Sequence, residues 1–113
     1  MPRDYEIYLK DILEAIAKIR DYTRGLSFQA FADDPKTRDA VIRNLEVIGE
    51  AVKKIPPEIR SRAPAVEWKR MAGLRDVLIH EYFRIDQEIV WDLVQNRLPT
   101  FEKRIRQLLA TSS

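Results

Sequence analysis

The residues of this sequence best suited to chemistry lie in one short segment, from Arg75 to Tyr82. It contains the only histidine of the chain, His80, together with an arginine and a tyrosine. Arginine is a permanent planar cation that suits phosphate oxygens, and histidine exchanges protons near neutral pH. A phenolic hydroxyl adds a third group. If the chain is an enzyme, we expect its chemistry in this segment.

The spacing of these residues is awkward for one regular helix. Arg75 and His80 are five positions apart, which separates them by roughly 140° around an ideal helix. Arg75 and Tyr82, seven positions apart, would lie on almost the same side of such a helix. His80 therefore joins the other two only if the helix ends or bends close to His80, or if another surface completes the site.

A purely structural interpretation of the same segment stays open. A histidine near an arginine is common, and His80 would then be a packed or surface residue. Arg75 would pair with an acid such as Asp76 or Glu81, and Tyr82 would belong to the core. Spacing alone does not decide between these two interpretations.

No metal site is predicted, because the chain has one histidine and no cysteine. It also lacks the Glu-x-x-His pairs with which helix bundles hold two metal ions. Glu46 and Glu50 lie one turn apart, but at helical spacing they suit Arg43, Lys53 or Lys54 as ion-pair partners. We expect no cofactor.

The elements that must position the segment begin with two well-marked helices. Apolar residues recur at steps of three and four over residues 5–22, which indicates an amphipathic helix that Gly25 closes. A second helix begins at Asp34-Pro35, an N-cap followed by proline at the first helical position, and ends at Pro56. Residues 26–33 carry no helical capping signal and predict a connection.

A third helix is predicted from about Val66 to Tyr82, so that the reactive segment forms its C-terminal half. Before it lies a connector rich in proline and arginine, with room for one helical turn. Asp86 is the predicted N-cap of a fourth helix, with a kink or short break at Pro99. The inward side chains expected on the third helix are Trp68, Met71, Ala72, Leu78 and Ile79.

The pattern as a whole predicts an all-α fold, an antiparallel bundle of four to five helices, because no segment alternates as a strand does. Gly49 and Gly73 each fall inside a predicted helix, where glycine costs about 1 kcal/mol relative to alanine. Close approach of neighbouring helices would offset that cost. Room for a ligand or a second subunit is the functional alternative.

Length and composition favour one domain, residues 1–113, that needs no disulfide. The net charge of +2 comes from 20 basic and 18 acidic residues, which permits a polyanionic partner without requiring one. No apolar run reaches the roughly 20 residues that span a bilayer, and the N-terminus does not resemble a signal peptide. We therefore expect a cytoplasmic protein without a membrane partner.

Two blocks of the sequence resemble the HepT-type HEPN (higher eukaryotes and prokaryotes nucleotide-binding) toxins. Arg75-Asp76-Val77-Leu78-Ile79-His80 matches the HEPN pattern of an arginine, a polar residue and a histidine, and Tyr82 extends it to the Arg-x4-His-x-Tyr pattern of the HepT branch. The stretch 43–51 resembles the second block of that family, and 68–74 resembles the approach to its motif. The resemblance extends from Asp4 to about Leu109.

This resemblance implies a HEPN-like bundle, a homodimer and a metal-independent endoribonuclease that is the toxin of a toxin–antitoxin pair. It implies RNA as substrate, Arg75 and His80 as catalytic residues and Asp76 as a supporting residue. The implied partner is a cognate minimal nucleotidyltransferase antitoxin, which transfers AMP to Tyr82. The chemistry agrees with a dimer, because cleavage needs both a base and an acid and one copy has only one histidine.

Two other classes of function stay open. The bundle could be a non-catalytic module that binds a nucleotide or a protein partner, or an assembly adaptor that retains the motif passively. The pair Arg75 and His80 distinguishes a ribonuclease from both alternatives, because neither alternative needs this pair.

Overall fold

The computed structural model describes residues 4–74, 76, 79–80 and 84–111. These residues form seven α-helices, one π-helical segment and one pair of two-residue strands. In chain order they are α1 (Asp4–Thr23), α2 (Phe28–Ala32), α3 (Pro35–Lys53), α4 (Pro57–Arg60), α5 (Trp68–Ala72), β1 (Ile79–His80), β2 (Arg84–Ile85), α6 (Gln87–Asp92), the π segment (Leu93–Arg97) and α7 (Leu98–Ala110). The all-α prediction is confirmed, with three long helices at its centre.

The core lies between α1, α3 and α7. Ile12, Ile48 and Ile105, one from each helix, are fully buried, and the buried apolar residues form one continuous cluster. Burying a side chain of this size stabilises the fold by roughly 1.5–3 kcal/mol. None of the helices in the described part of the chain is both long and apolar enough to cross a membrane.

Both ends of the first predicted helix are confirmed within about one residue, but the connection after it was predicted wrongly. Gly25 has a φ of +77°, the left-handed conformation that ends many helices. Residues 28–32 then form α2, because the Ser27 hydroxyl accepts a hydrogen bond from the backbone N–H of Ala30 at 3.1 Å. Phe31 of this short helix is fully buried. Serine as N-cap was the signal that sequence analysis overlooked.

The predicted start and end of the second helix are confirmed in α3. The Asp34 carboxylate accepts hydrogen bonds from the Thr37 hydroxyl at 2.7 Å and the Thr37 backbone N–H at 3.2 Å. These two bonds, the hydroxyl first, hold the pKa of Asp34 below its usual range. At the other end, the Arg60 guanidinium donates to the carbonyl oxygens of Val52 and Ile55 at 2.9 and 3.0 Å. These bonds provide donors for carbonyl groups that the end of a helix leaves without a helical partner.

The third predicted helix, from Val66 to Tyr82, is interrupted at Gly73 and wrong at Ile79–His80. The helix α5 spans only Trp68–Ala72, with Gly73 as its C-cap; Leu74 and Asp76 are helical again, and the backbone at Ile79–His80 is extended. Glycine is a weak helix former, which explains the interruption, and Ile79–His80 pairs with Arg84–Ile85 instead of continuing a helix. Trp68 and Met71 are buried as expected.

The fourth predicted helix begins where expected and is interrupted just before Pro99. Asp86 accepts hydrogen bonds from the backbone N–H groups of Glu88 and Ile89, at 2.9 and 3.2 Å. The helix widens in the π segment, where the Leu98 N–H donates to the Leu93 carbonyl, five residues back. A proline ring needs space against the preceding turn and lacks a donor, which explains why the widening lies here.

One partly buried carboxylate connects α1 to α7. The Glu102 side chain, 12% exposed, accepts hydrogen bonds from Arg20 of α1 and from Arg106 at 3.0 Å. Burial raises the pKa of Glu102, but the two guanidinium donors outweigh it and hold that pKa below its usual range. Glu102 is therefore charged in the folded protein, and it stabilises the packing of the two helices.

Candidate active site

The segment predicted to carry the chemistry connects two firmly anchored ends. On its N-terminal side α5 ends at Gly73, and the following Leu74 is fully buried. On its C-terminal side the carboxylate of Asp86 caps α6. The residues that flank the segment are therefore fixed by packing on one side and by a helix cap on the other.

Of the four predicted site residues, the structure describes Asp76, gives only the backbone of His80, and does not describe the other two. Arg75 and Tyr82 lie outside the described residues. Asp76, the predicted supporting residue, is exposed and helical. For His80 the structure gives the backbone conformation and its pairing.

His80 lies in a short antiparallel strand pair. Ile79 is paired with Ile85, and His80 with Arg84. Residues directly opposite each other in such a pair have Cα atoms about 5 Å apart. The backbone thus brings position 84 next to position 80, a relationship that the sequence analysis missed because it read this stretch as helix. The extended backbone at His80 agrees with the expectation that the predicted helix ends or bends close to this residue.

Gly49 of α3 positions the helix that leads into the segment. A Cβ atom added at Gly49 would lie 3.4 Å from the carbonyl oxygens of both Met71 and Ala72, and 3.7 Å from the Cβ of Leu74. The predicted close helix approach is therefore confirmed at Gly49. At Gly73 it is not, because that residue caps α5 and the nearest atoms belong to the preceding turn of the same helix.

The second block of the sequence lines a groove next to this contact. The groove has a volume of about 560 Å³ and lies between α1, α3 and the end of α5. Its walls include Tyr8 of α1, Arg43 and Glu46 of α3, and Ala72 of α5. The structure therefore brings residues 43–51 together with the residues that precede Arg75, as two halves of one region.

One carboxylate of this region, that of Glu50, is engaged with a basic side chain. Glu50 accepts a hydrogen bond from Lys53 at 2.9 Å, as its helical spacing predicted. Within the described ranges, no group of three or more histidine or acidic residues is arranged to hold a metal ion. The groove therefore offers charged groups of both signs, and Lys53 neutralises Glu50.

The sequence as a whole matches a known family and several curated proteins. The family model "Ribonuclease HepT-like" matches residues 12–108. A protein of Methanocaldococcus jannaschii with the name "Putative RNase MJ0127" is 49% identical over 110 residues, which cover 96% of this chain and 91% of that protein. The "Probable ribonuclease HepT" of Thermococcus cleftensis is 43% identical over 108 residues, 96% of this chain and 98% of that protein. No solved structure matches the chain.

These matches include both blocks on which the resemblance was based, the stretch 43–51 and the motif from Arg75 to Tyr82. They confirm the prediction of a HEPN-type endoribonuclease. The match covers α3, α5, both strands and most of α7, so that it describes the architecture around the segment as well as the segment itself. The chain belongs to the HepT-like ribonuclease family.

Proposed function

We propose that this ribonuclease is the toxin of a toxin–antitoxin pair and cleaves RNA without a metal ion. Its site consists of Arg75 and His80 from two copies of the chain, with Asp76 in support. A cognate minimal nucleotidyltransferase neutralises it by transferring AMP to Tyr82. The observation that carries the proposal is the family match over residues 12–108, which contain all four residues.

The chemistry of RNA cleavage supports the choice of Arg75 and His80. A base removes the proton of the ribose 2′-hydroxyl, the 2′-oxygen attacks the phosphorus, and an acid protonates the leaving 5′-oxygen. The phosphorane that forms carries additional negative charge, which a guanidinium stabilises through paired hydrogen bonds. Histidine can perform either proton transfer.

The single histidine of the chain supports a site shared between two copies. Base and acid act in the same reaction, and one imidazole cannot hold and lack a proton at once. A two-fold axis close to the segment would place two copies of His80 on opposite sides of one phosphate and two copies of Arg75 around it. A homodimer is therefore part of the proposed mechanism.

The backbone at His80 agrees with this proposal. The offset of roughly 140° between Arg75 and His80 applies only to a continuous helix. Because Ile79–His80 is extended and paired with Arg84–Ile85, the helical offset no longer applies to His80. Leu74 is buried and Asp86 caps α6, so the described residues on both sides are fixed, as the support of a preorganised site requires.

Tyr82 lies two residues beyond His80, which suits it as the modified residue. Transfer of AMP to its phenolic oxygen adds a bulky group and a negatively charged phosphodiester. Both would oppose an RNA phosphate close to His80, one by steric overlap and the other by repulsion. The modification would therefore switch the enzyme off without altering its fold.

Growth of cells that express the protein alone separates this function from a binding module. The wild type is expected to arrest growth, and either Arg75→Ala or His80→Ala is expected to relieve the arrest. Lys10→Ala serves as the control, because Lys10 is an exposed residue of α1. If both site variants arrest growth as strongly as the wild type at equal protein levels, the chain acts by binding and the proposal is wrong.

A further inference from the structure

Four arginines from distant parts of the sequence converge on one side of the bundle. Arg62 belongs to the connector after α4, Arg70 to α5, Arg97 to the π segment and Arg104 to α7. We call this surface the arginine face. We propose that the arginine face binds the phosphates of single-stranded RNA and guides the strand to the segment with Arg75 and His80. This inference rests on the proposed function, which identifies RNA as the substrate.

The four side chains are connected through two neighbouring depressions. One, of about 180 Å³, is lined by Glu67, Arg97 and Arg104, and the other, of about 230 Å³, by Arg62 and Arg104. Arg104 and Ala65 line both, so the depressions are continuous. Glu67 connects the fourth arginine, Arg70, to this group. Its carboxylate lies 2.9 Å from the guanidinium of Arg97 and 3.9 Å from that of Arg70. The four arginines thus form a track, in which Arg70 and Arg97 share the Glu67 carboxylate.

The charge of the arginine face is unbalanced, unlike that of the chain. The whole sequence has 20 basic and 18 acidic residues, whereas among the described residues Glu67 is the only acid that lines the two depressions. Asp92 approaches Arg97 from the side, at 4.0 Å. Arg62 and Arg104 form no ion pair with any residue in the described part of the chain. Two guanidinium groups are therefore available for an external anion.

The framework behind the arginine face is well fixed. The indole N–H of Trp68 donates to the carbonyl oxygens of Arg60 and Ala63, at 3.1 and 3.0 Å. The ring of Trp68 also packs edge-on against Phe101 of α7, with 6.2 Å between centroids. These contacts hold the connector that carries Arg62 against the helix that carries Arg104. Binding an anion then costs little ordering of the backbone.

Phosphate is the anion that suits this surface best. Guanidinium groups bind phosphate oxygens through two parallel hydrogen bonds, and the exposed side chains of Asn96, Thr100 and Gln107 provide neutral partners for ribose and bases. The exposed large apolar residues of the described chain, Ile7 and Tyr22, lie on α1 instead, which favours RNA over a protein partner here.

The position of Arg70 connects the arginine face with the reactive segment. Arg70 lies in the last turn of α5, five residues before Arg75, and its side chain is 38% exposed. A strand bound along Arg62, Arg104 and Arg97 would reach Arg70 next. The track thus leads towards the helix end from which the reactive segment continues.

The test is the salt dependence of RNA binding in a His80→Ala background, which prevents cleavage. Fluorescence anisotropy of a labelled single-stranded RNA gives the Kd over a series of salt concentrations. For single strands, log K falls with log salt by about 0.7 per phosphate contact. Arg62→Ala with Arg104→Ala is expected to flatten the slope by about 1.4 and to raise Kd about tenfold. Arg62→Lys with Arg104→Lys is expected to keep the slope.

The matched control removes two cations from a different surface. Lys18 of α1 and Arg24, which directly follows α1, pair with acids of that helix, Glu14 at 3.4 Å and Asp21 at 2.9 Å. Lys18→Ala with Arg24→Ala is expected to leave the slope unchanged, and circular dichroism verifies that every variant is folded. An unchanged slope in the Arg62 and Arg104 variant would overturn the inference, and so would equal flattening by the control.

The same experiment separates this inference from the proposed function. If the wild type cleaves RNA but the arginine variant keeps its slope, the arginine face is not the binding surface and the activity stands. If the arginine variant flattens the slope but the wild type, with His80 intact, does not cleave RNA, the surface binds RNA and the proposed activity is wrong. An unchanged slope would indicate that the arginine face binds a protein partner instead of RNA.

Discussion

Gly49 and Ala72 set the distance between α3 and the helix that leads to Arg75. A Cβ at position 49 would lie 3.4 Å from the Ala72 carbonyl oxygen, which is the limit of ordinary contact. A methyl group fits at this distance, but a longer side chain does not. The position of α5 relative to the core thus depends on the absence of a large side chain at residue 49.

Substitutions at Gly49 should therefore differ sharply with size. We expect Gly49→Ala to change the free energy of unfolding by less than about 1 kcal/mol, because the gain in helix propensity offsets the tighter contact. Gly49→Leu is expected to lose about 1–3 kcal/mol and to displace α5. Urea unfolding measures both, and equal stability of the two variants would show that the helices are not in close contact.

The ends of the helices were predictable because local residues determine them. Asp34 with Pro35, Gly25 and Asp86 act on backbone groups within three residues, so the sequence contains both partners of each contact. Ser27 follows the same rule and could have been found. The interruption before Pro99 was predictable for the same reason, because the ring of a proline acts on the preceding turn.

Contacts between separate elements could not be read from the sequence. The pairing of His80 with Arg84 competes with a helix whose apolar pattern was plausible, and only the backbone shows which of them forms. The partner of Gly49 was likewise unknown, although close helix approach was expected. Arg62 and Arg104 are far apart in the sequence, and no local pattern relates them.

The shared site predicts a particular dependence of activity on protein concentration. If two copies form each site, specific activity should fall on dilution below the dimer dissociation constant and approach proportionality to concentration. A cleavage assay over a dilution series, together with sedimentation of the same samples, measures both. Full specific activity in a sample that sediments as a monomer would contradict a shared site.

Tyr82→Phe should separate RNA cleavage from neutralisation by the nucleotidyltransferase. The phenyl ring retains the shape of tyrosine but has no oxygen to accept AMP, so we expect near wild-type cleavage and resistance to the nucleotidyltransferase. Mass spectrometry after incubation with ATP and the transferase gives the modification, and a cleavage assay gives its effect. AMP found on the Phe variant would show that the acceptor is another residue.

The carboxylate between α1 and α7 should make stability depend on pH. The folded pKa of Glu102 is below its ordinary value of 4.5, so its contribution is complete above that value and is lost as pH falls through the lowered pKa. We expect Glu102→Gln to cost about 1–3 kcal/mol near neutral pH and progressively less in acid. Thermal unfolding from neutral to acidic pH measures the difference.

Glu14→Gln is the matched control for this effect. Glu14 pairs with Lys18 on the exposed side of α1, where both side chains are more than half exposed, and such pairs contribute little. Its stability should stay within about 0.5 kcal/mol of the wild type at all pH values. If Glu102→Gln lost as much stability in acid as at neutral pH, its contribution would be packing and not charge.

The most direct test of the account is cleavage of a defined RNA by the purified protein in the presence of a chelator. We predict products with a 2′,3′-cyclic phosphate and a free 5′-hydroxyl, which are the ends that attack by the 2′-oxygen leaves. Loss of at least about a hundredfold in rate is expected for His80→Ala and for Arg75→Ala. A substrate with deoxyribose at the cleaved position should stay intact. Cleavage that needs a divalent metal, or that proceeds equally without His80 or the 2′-hydroxyl, would contradict the account.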